Sequence, residues 1–417
     1  MRFFAPQSIL ADPSGSPRGW GVVGAAATGL ALGLSPLPFY TIGIFAPELA
    51  RTFHWSFASL MAGIAIQSVT VMIISPLAGF VTDKFGARRM AMLSLFLSRL
   101  SFMAFAFTGP SLILFYIHWA VMSVLGVGTL GLTWTRVVSG WFDRNRGLAL
   151  GFATAGTGIA GFLIKPLCAW LMTTYGWRIA YAALDLLPIA IGIPVVWRLF
   201  VERRGTAVFT ASGDPIEEPG MAFSNALRDR KSWIITIAFL LIAFSLTAPT
   251  PNMENILRTF RFDIATIASF TSSFGLAVIF GRSVGGWLID RVWAPSGACG
   301  ILSLPAIARW VFARPTITPH EPLDSMIALG VAAGIEFDLL AYLVARYFGQ
   351  RNYGAIYGSV YTAVALGGGV GPVVFGRAFD LTGSYAQISP YAAIILLVGS
   401  ALLLLLGPYR TFIPEAS

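Results

Sequence analysis

Apolar residues fill this chain in long runs, and polar residues are confined to the gaps between them. Twelve runs stand out, at roughly 19–47, 57–81, 90–108, 111–140, 148–173, 179–199, 233–252, 265–288, 296–312, 324–345, 355–379 and 389–407. A helix needs about 20 predominantly apolar residues to cross a bilayer, so each run reads as a membrane span. The ninth is the weakest, being short and holding Pro305 and Arg309. One gap is much longer than the others. Residues 201–231 contain Glu202-Arg203-Arg204, Glu217-Glu218-Pro219 and Arg228-Asp229-Arg230-Lys231, and read as a solvated linker with at most one surface helix. The pattern predicts a tail (1–18), a six-span bundle (19–200), the linker (201–231), a second six-span bundle (232–408) and a short tail (409–417).

The two bundles are copies. Leu49-Ala50-Arg51-Thr52-Phe53 returns as Ile256-Leu257-Arg258-Thr259-Phe260, 207 residues on. Gly79 and Asp83 return as Gly286 and Asp290, and Gly151 as Gly358, at the same offset of 207. Trp141–Gly156 returns in weaker form from Tyr347, and Pro166 as Pro372, at 206. A single offset held across so much of the chain marks one unit of about 200 residues written twice.

Composition agrees with the pattern. The chain is 56% hydrophobic and 11% charged, where a soluble domain carries about 25% charged residues. The net charge of +9 is not a nucleic-acid signal, because most of the 28 Lys and Arg fall on one side of the spans. By the positive-inside rule both termini are then cytoplasmic. No cleavable signal peptide is visible, since the first apolar run is already helix length. Cys168 and Cys299 both lie in apolar stretches, and no metal-ligand spacing exists. No nucleotide loop or nucleophile–base constellation is present either, so neither an enzyme nor a cofactor is expected.

Two short stretches carry a resemblance. Gly79-Phe-Val-Thr-Asp83-Lys84-Phe-Gly86-Ala-Arg88-Arg89, between spans two and three, resembles the loop motif of the major facilitator superfamily; the second copy keeps Gly286 and Asp290-Arg291. Its glycine lets two helices approach closely, and its aspartate suits the positive end of a neighbouring helix. The run from Trp141 through Phe142, Arg144, Arg146, Leu148, Ala149, Gly151, Ala153 and Ala155 to Gly156 resembles the opening of span five in the monocarboxylate-transporter branch. Gly19-Trp20-Gly21 resembles the end of that branch's signature before span one. The resemblance implies an all-α membrane protein of twelve transmembrane helices in two pseudo-symmetric six-helix bundles, the major facilitator fold. It also implies that Gly79, Asp83, Arg88, Gly286, Asp290 and Arg291 latch one conformation of a transporter.

Charges inside the spans are candidate functional groups, because each costs about 2.5–3.5 kcal/mol at mid-bilayer. Arg282 lies eight residues before Asp290, about 12 Å of helix rise and close to the midplane, among Gly275, Gly281, Gly285 and Gly286, which leave room for a guest. A guanidinium meets a carboxylate in two parallel hydrogen bonds, and the span-eight arginine of monocarboxylate carriers, which Gly281-Arg282 resembles, implies that pairing with cargo. Here the sequence also departs from that branch: Val278 stands where an aspartate often precedes the arginine, and the stretch Leu37–Tyr40 lacks the span-one lysine. Lys165, beside Pro166 in the outer third of span five, is either a second cationic site or a snorkelling side chain. Tyr40 follows a break at Ser35-Pro36-Leu37-Pro38, which must face protein or a wet cavity because lipid cannot satisfy freed backbone groups; the break is either a mere kink or puts Tyr40 in a substrate path as a candidate binding residue. Tyr357 and Tyr361 are candidate cavity-lining residues of span eleven.

Glu336 sits near mid-bilayer and Asp338 about 200° round the same helix, so only one squarely faces a shared cavity. Either is a candidate proton carrier with Arg282 as its partner, or a buried pair that fixes packing. Arg136 is a candidate gate or a partner of Asp143. Arg99 reads as paired with Asp185 or snorkelling, and His118 as a packing residue.

The expected function is secondary active transport of a small organic anion, a monocarboxylate or aromatic acid, by alternating access with proton coupling. Its expected setting is the cytoplasmic membrane, as a monomer with the lipid bilayer and protons as partners and no nucleic acid. Two readings stay open: a proton-coupled exporter of lipophilic or cationic compounds using Glu336 and Asp338 as counter-charges, and a membrane ligand sensor.

Overall fold

The computed structural model describes residues 17–142, 146–202, 220–289, 291–314, 316–318, 320–349 and 351–410. Among these every named element is helical. The first half comprises α1 (Pro17–Ala31), α2 (Pro36–Phe53), α3 (Phe57–Phe85), α4 (Ala87–Met103), α5 (Leu112–Gly126), α6 (Gly131–Ser139), α7 (Arg146–Tyr175), α8 (Trp177–Leu187) and α9 (Ile193–Leu199). A short connector helix, α10 (Phe223–Arg228), precedes α11 (Arg230–Thr247), α12 (Met253–Thr259), α13 (Ile264–Ile289), α14 (Ala294–Val311), α15 (Glu321–Phe348), α16 (Tyr353–Thr382) and α17 (Ile388–Leu402). Eleven stretches among the described residues are long and apolar enough to cross a membrane. With α14, the weak ninth run, they make the twelve that the hydrophobic pattern predicts.

Three of the crossings are broken, and each break is satisfied by protein. Span one pauses at 32–35, a turn earlier than the prolines suggest, because Pro36 opens α2 rather than ending α1. There the Leu34 amide donates to Thr129 Oγ1 (2.9 Å) and Gln67 Nε2 donates to the Leu34 carbonyl (3.3 Å). Thr129 itself lies in the break of span four, between α5 and α6. The seventh crossing corrects the expectation that it ends at 252: it pauses at 248–252 and resumes as α12 to Thr259. Asn252 Nδ2 holds that break together by donating to the carbonyls of Ala248 (2.9 Å) and Pro372 (3.1 Å).

The connector joins the helices at one end of the molecule, called here the connector end; the loops after α2, α7, α12 and α16 lie at the far end. The two halves meet along two helix pairs, α3 with α16 and α7 with α13. Small residues allow this. A Cβ on Gly158 would run 2.6 Å from the Gly275 carbonyl oxygen, and one on Gly369 would lie 3.2 Å from Ala65 Cα. Toward the far end, Gly376 packs against the backbone of Phe57 and Ala58. Beside it the Asp380 carboxylate accepts from the amides of Phe57 (2.8 Å) and Ala58 (2.9 Å), the free amides at the start of α3.

Candidate substrate-binding site

The helix pairs diverge toward the connector end. Seven residues are nearly two turns of helix, so Gly151 lies on the same face of α7 as Gly158, and Arg282 on the same face of α13 as Gly275. Gly158 touches Gly275, yet a Cβ on Gly151 would meet nothing within 4 Å. The other pair behaves alike: Gly358, on the face of α16 that carries Gly369 eleven residues later, also has nothing within 4 Å. Gly151 and Gly358 are the repeat-related glycines of the sequence, and both face a cleft that opens between the halves.

Arg282 stands at this cleft. It is held there by α15, which packs against α13 with almost no side chain between: added Cβ atoms on Gly281, Gly285 and Gly334 would strike Val331, Ile335 and the Val278 carbonyl respectively. The expectation that Gly275, Gly281 and Gly285 leave room for a guest is thereby corrected, because Gly281 and Gly285 are spent on this helix contact and Gly275 on the contact with α7. The same contact brings Arg282 Nη1 to 3.5 Å from Asp338 Oδ1, with side-chain exposures of 15% and 44%. Arg282 Nε has no hydrogen-bond partner. A guanidinium has five donors in a fork, so this one retains unspent donors beside an accessible surface.

Glu336 is buried, and its Oε1 is without a hydrogen-bond partner. Of the two carboxylates it is Asp338, not Glu336, that reaches Arg282. On α16, Tyr353, Tyr357 and Tyr361 stack in a column with ring centroids 5.8 and 6.1 Å apart. Tyr361 is 40% exposed and lies 6.1 Å from Phe337, beside Glu336.

Lys165 does not join this cluster, whereas Tyr40 stands within electrostatic reach of Arg282. Tyr40 is buried in the closed seam, with its ring centroid 6.2 Å from that of Phe274. Lys165 lies over the Tyr40 ring and donates to Glu254 Oε1 at 2.5 Å, both side chains being almost wholly buried. Glu254 lies beyond the apolar seventh run, so hydrophobic length alone does not reveal it. The signal was present in the repeat: Leu49–Phe53 lies in α2, so its copy Ile256–Phe260 had to continue a helix too.

The remaining candidates lie elsewhere. Arg99 is buried 3.8 Å from Asp185, and His118 packs edge-on to Phe105. Arg136 is exposed on α6 and makes contacts of its own; its candidate partner Asp143 lies outside the described residues. Arg88 donates to the Trp197 carbonyl, while Glu202 Oε2 accepts from the Ala87 amide (3.0 Å) at the start of α4. Both contacts stay within the first half. Arg291 is exposed just after α13. Asp290 and the side-chain surroundings of Gly79, Asp83 and Gly286 lie outside the described residues.

Two six-helix bundles around a cleft, with an arginine at mid-span, define a multi-pass membrane protein built like a carrier. The profile of the Major Facilitator Superfamily matches residues 28–372. The chain belongs to that superfamily and is a transporter, not an enzyme. It is 27% identical to monocarboxylate transporter 13 of Bos taurus over 96% of this chain and 92% of the relative. It is 23% identical to a probable sulfoacetate transporter of Cupriavidus necator, over 80% of this chain and 82% of that protein. Among solved structures it resembles an inward-facing, unoccupied bacterial homolog of the human lysosomal transporter Spinster, with a TM-score of 0.72 at 16% identity, covering 94% of this chain and 97% of that one.

Proposed function

We propose that this transporter carries a small organic anion across the cytoplasmic membrane by alternating access, with Arg282 as the anchor for the cargo's carboxylate. The observation that carries the reading is the guanidinium at the cleft, held by one loose contact at 3.5 Å and with Nε unpartnered. Arriving carboxylate gains charge-assisted hydrogen bonds without first breaking a tight pair. Relatives named for monocarboxylates and for sulfoacetate support an anionic cargo.

The moving bodies are 19–200 and 232–408, linked through 201–231, with both termini cytoplasmic and the chain acting as a monomer. The connector end is then the cytoplasmic one, and the cleft faces inward. Asp338 releases Arg282 as cargo binds. Glu336, buried without a cationic partner, carries the proton, and Tyr361 lines the way to it. Alternation brings Tyr40 and Lys165 to the path from the far side. The motif residues Gly79, Asp83, Arg88, Gly286, Asp290 and Arg291 steady one of the two states, and Arg136 gates the inner mouth.

A second reading, export of a lipophilic cation, is favoured by the same unpartnered Glu336. Uptake of lactate, benzoate and sulfoacetate into proteoliposomes, alongside efflux of a cationic dye, separates them. Arg282→Ala is expected to weaken anion uptake about 10- to 100-fold, the loss of one or two hydrogen bonds to a charged group, and Glu336→Gln to abolish its dependence on a pH gradient. Unchanged anion uptake in Arg282→Ala would refute the anchor, and dye efflux lost in Glu336→Gln would favour the cation.

A further inference from the structure

Lys165 and Glu254 join the two halves, one from α7 and the other from α12, at a distance of 2.5 Å and out of reach of solvent. The contact is built for one conformation. α2 passes directly over it, with Gly43 against the Glu254 carboxylate and the Pro251 carbonyl, a place where any Cβ would collide. Glu254 Oε2 is nevertheless buried without a partner. Under the alternating access proposed above, opening the far end would draw α7 from α12 and strand two charges. A stranded buried charge is strongly unfavourable, so each needs a replacement partner in the other state. Glu254 has one at hand: Arg258, one turn on in α12, whose Nε is buried and unpartnered. Among the described residues, the groups shown to meet Lys165 are Tyr40, Cys168 and Glu254, and of these Glu254 alone is a carboxylate.

We propose that Glu254 is a resident stand-in for the cargo's carboxylate, holding Lys165 while the far end is shut and yielding it to an incoming anion when the far end opens. Lys165 is then the outer anion site of the carrier, and Arg282 the inner one. The inference rests on the organic-anion reading above. It explains why a lysine is kept at the seam rather than an apolar residue, which would close it as well: only a cation lets an anion compete for the latch.

The test uses full-length protein with Cys168→Ser and Cys299→Ser, spin-labelled through Tyr175→Cys and Ala265→Cys at the exposed far ends of α7 and α13. Lactate, benzoate and sulfoacetate are each titrated while the inter-label distance is measured. Glu254→Gln removes the internal competitor, so a longer distance is expected to gain population. The bound probe is expected to tighten about tenfold or more, the worth of a charge-assisted bond, and adding Lys165→Met is expected to erase that gain. Lys165→Met/Glu254→Gln leaves no charge stranded, and it reports the unlocked seam should the single variant fail to fold.

Probe binding to the parent protein with no gain in Glu254→Gln, or a gain that survives Lys165→Met, would overturn this inference alone. No binding of any probe to the parent or the variants would overturn it together with the organic-anion reading. In that case a distance change in Glu254→Gln would still mark the pair as a purely mechanical lock.

Discussion

Arg99 and Arg282 show how differently two membrane arginines are used. Arg99 is fully buried, faces Asp185 at 3.8 Å, lies over the Phe102 ring and leaves two of its nitrogens unpartnered. Such a pair contributes little net stability, yet removing one member strands the other. Arg99→Met is therefore expected to destabilise by about 3–5 kcal/mol, whereas Arg99→Met/Asp185→Leu falls near the parent; thermal unfolding in detergent reads both. Transport per folded molecule should be the same in the double variant. Arg282 behaves in the opposite way. Its pair with Asp338 is loose and Asp338 is open to solvent, so under the anchor proposed above Arg282→Ala is expected to weaken anion uptake more than it lowers the melting temperature.

Helix pairs set the conformational state through glycines, and the same residue type plays opposite roles two turns apart. At Gly158 the helices α7 and α13 touch, so Gly158→Val drives its side chain into the backbone at Gly275. Overpacking of this kind costs about 1–3 kcal/mol, seen as a lower melting temperature and halves forced apart at the seam. At Gly151 there is open space, so Gly151→Val should melt with the parent but hinder closure of the cleft at the connector end. Solvent accessibility of a cysteine placed nearby would then stay high in every condition.

These roles were only partly legible in the chain. The 207-residue repeat, the twelve runs and the pairing of Arg99 with Asp185 follow from hydrophobic length and from the rule that buried charge seeks opposite charge. The role of the glycines at 281 and 285 is not legible in sequence because composition gives no direction: a small residue facing a neighbouring helix looks the same as one facing a cavity. Glu254 was lost because prolines and a carboxylate resemble the end of a span. Asn252, by capturing the carbonyls of Ala248 and Pro372, turns that end into a joint. Depth along a helix can be counted from sequence, but azimuth and partner come from tertiary packing.

At the scale of the whole molecule, each visible end of the connector is stapled to its own half. On one side, Glu202 caps α4 and the Trp141 indole donates to the Val201 carbonyl at 2.7 Å. On the other, Met221 donates to the Phe348 carbonyl at 2.8 Å and Asp229 takes Arg410 at 2.5 Å. The Tyr409 hydroxyl accepts from the Ala294 amide, and its burial among Tyr342 and Tyr347 pushes its pKa up to about 12, so this clasp keeps its proton throughout the physiological range. Each of the contacts named here lies within its own half. Severing the gene between Glu202 and Gly220 should thus yield two polypeptides that, produced together, find each other through the α3–α16 and α7–α13 seams and transport as one. Copurification of the two pieces on a single affinity handle would show it.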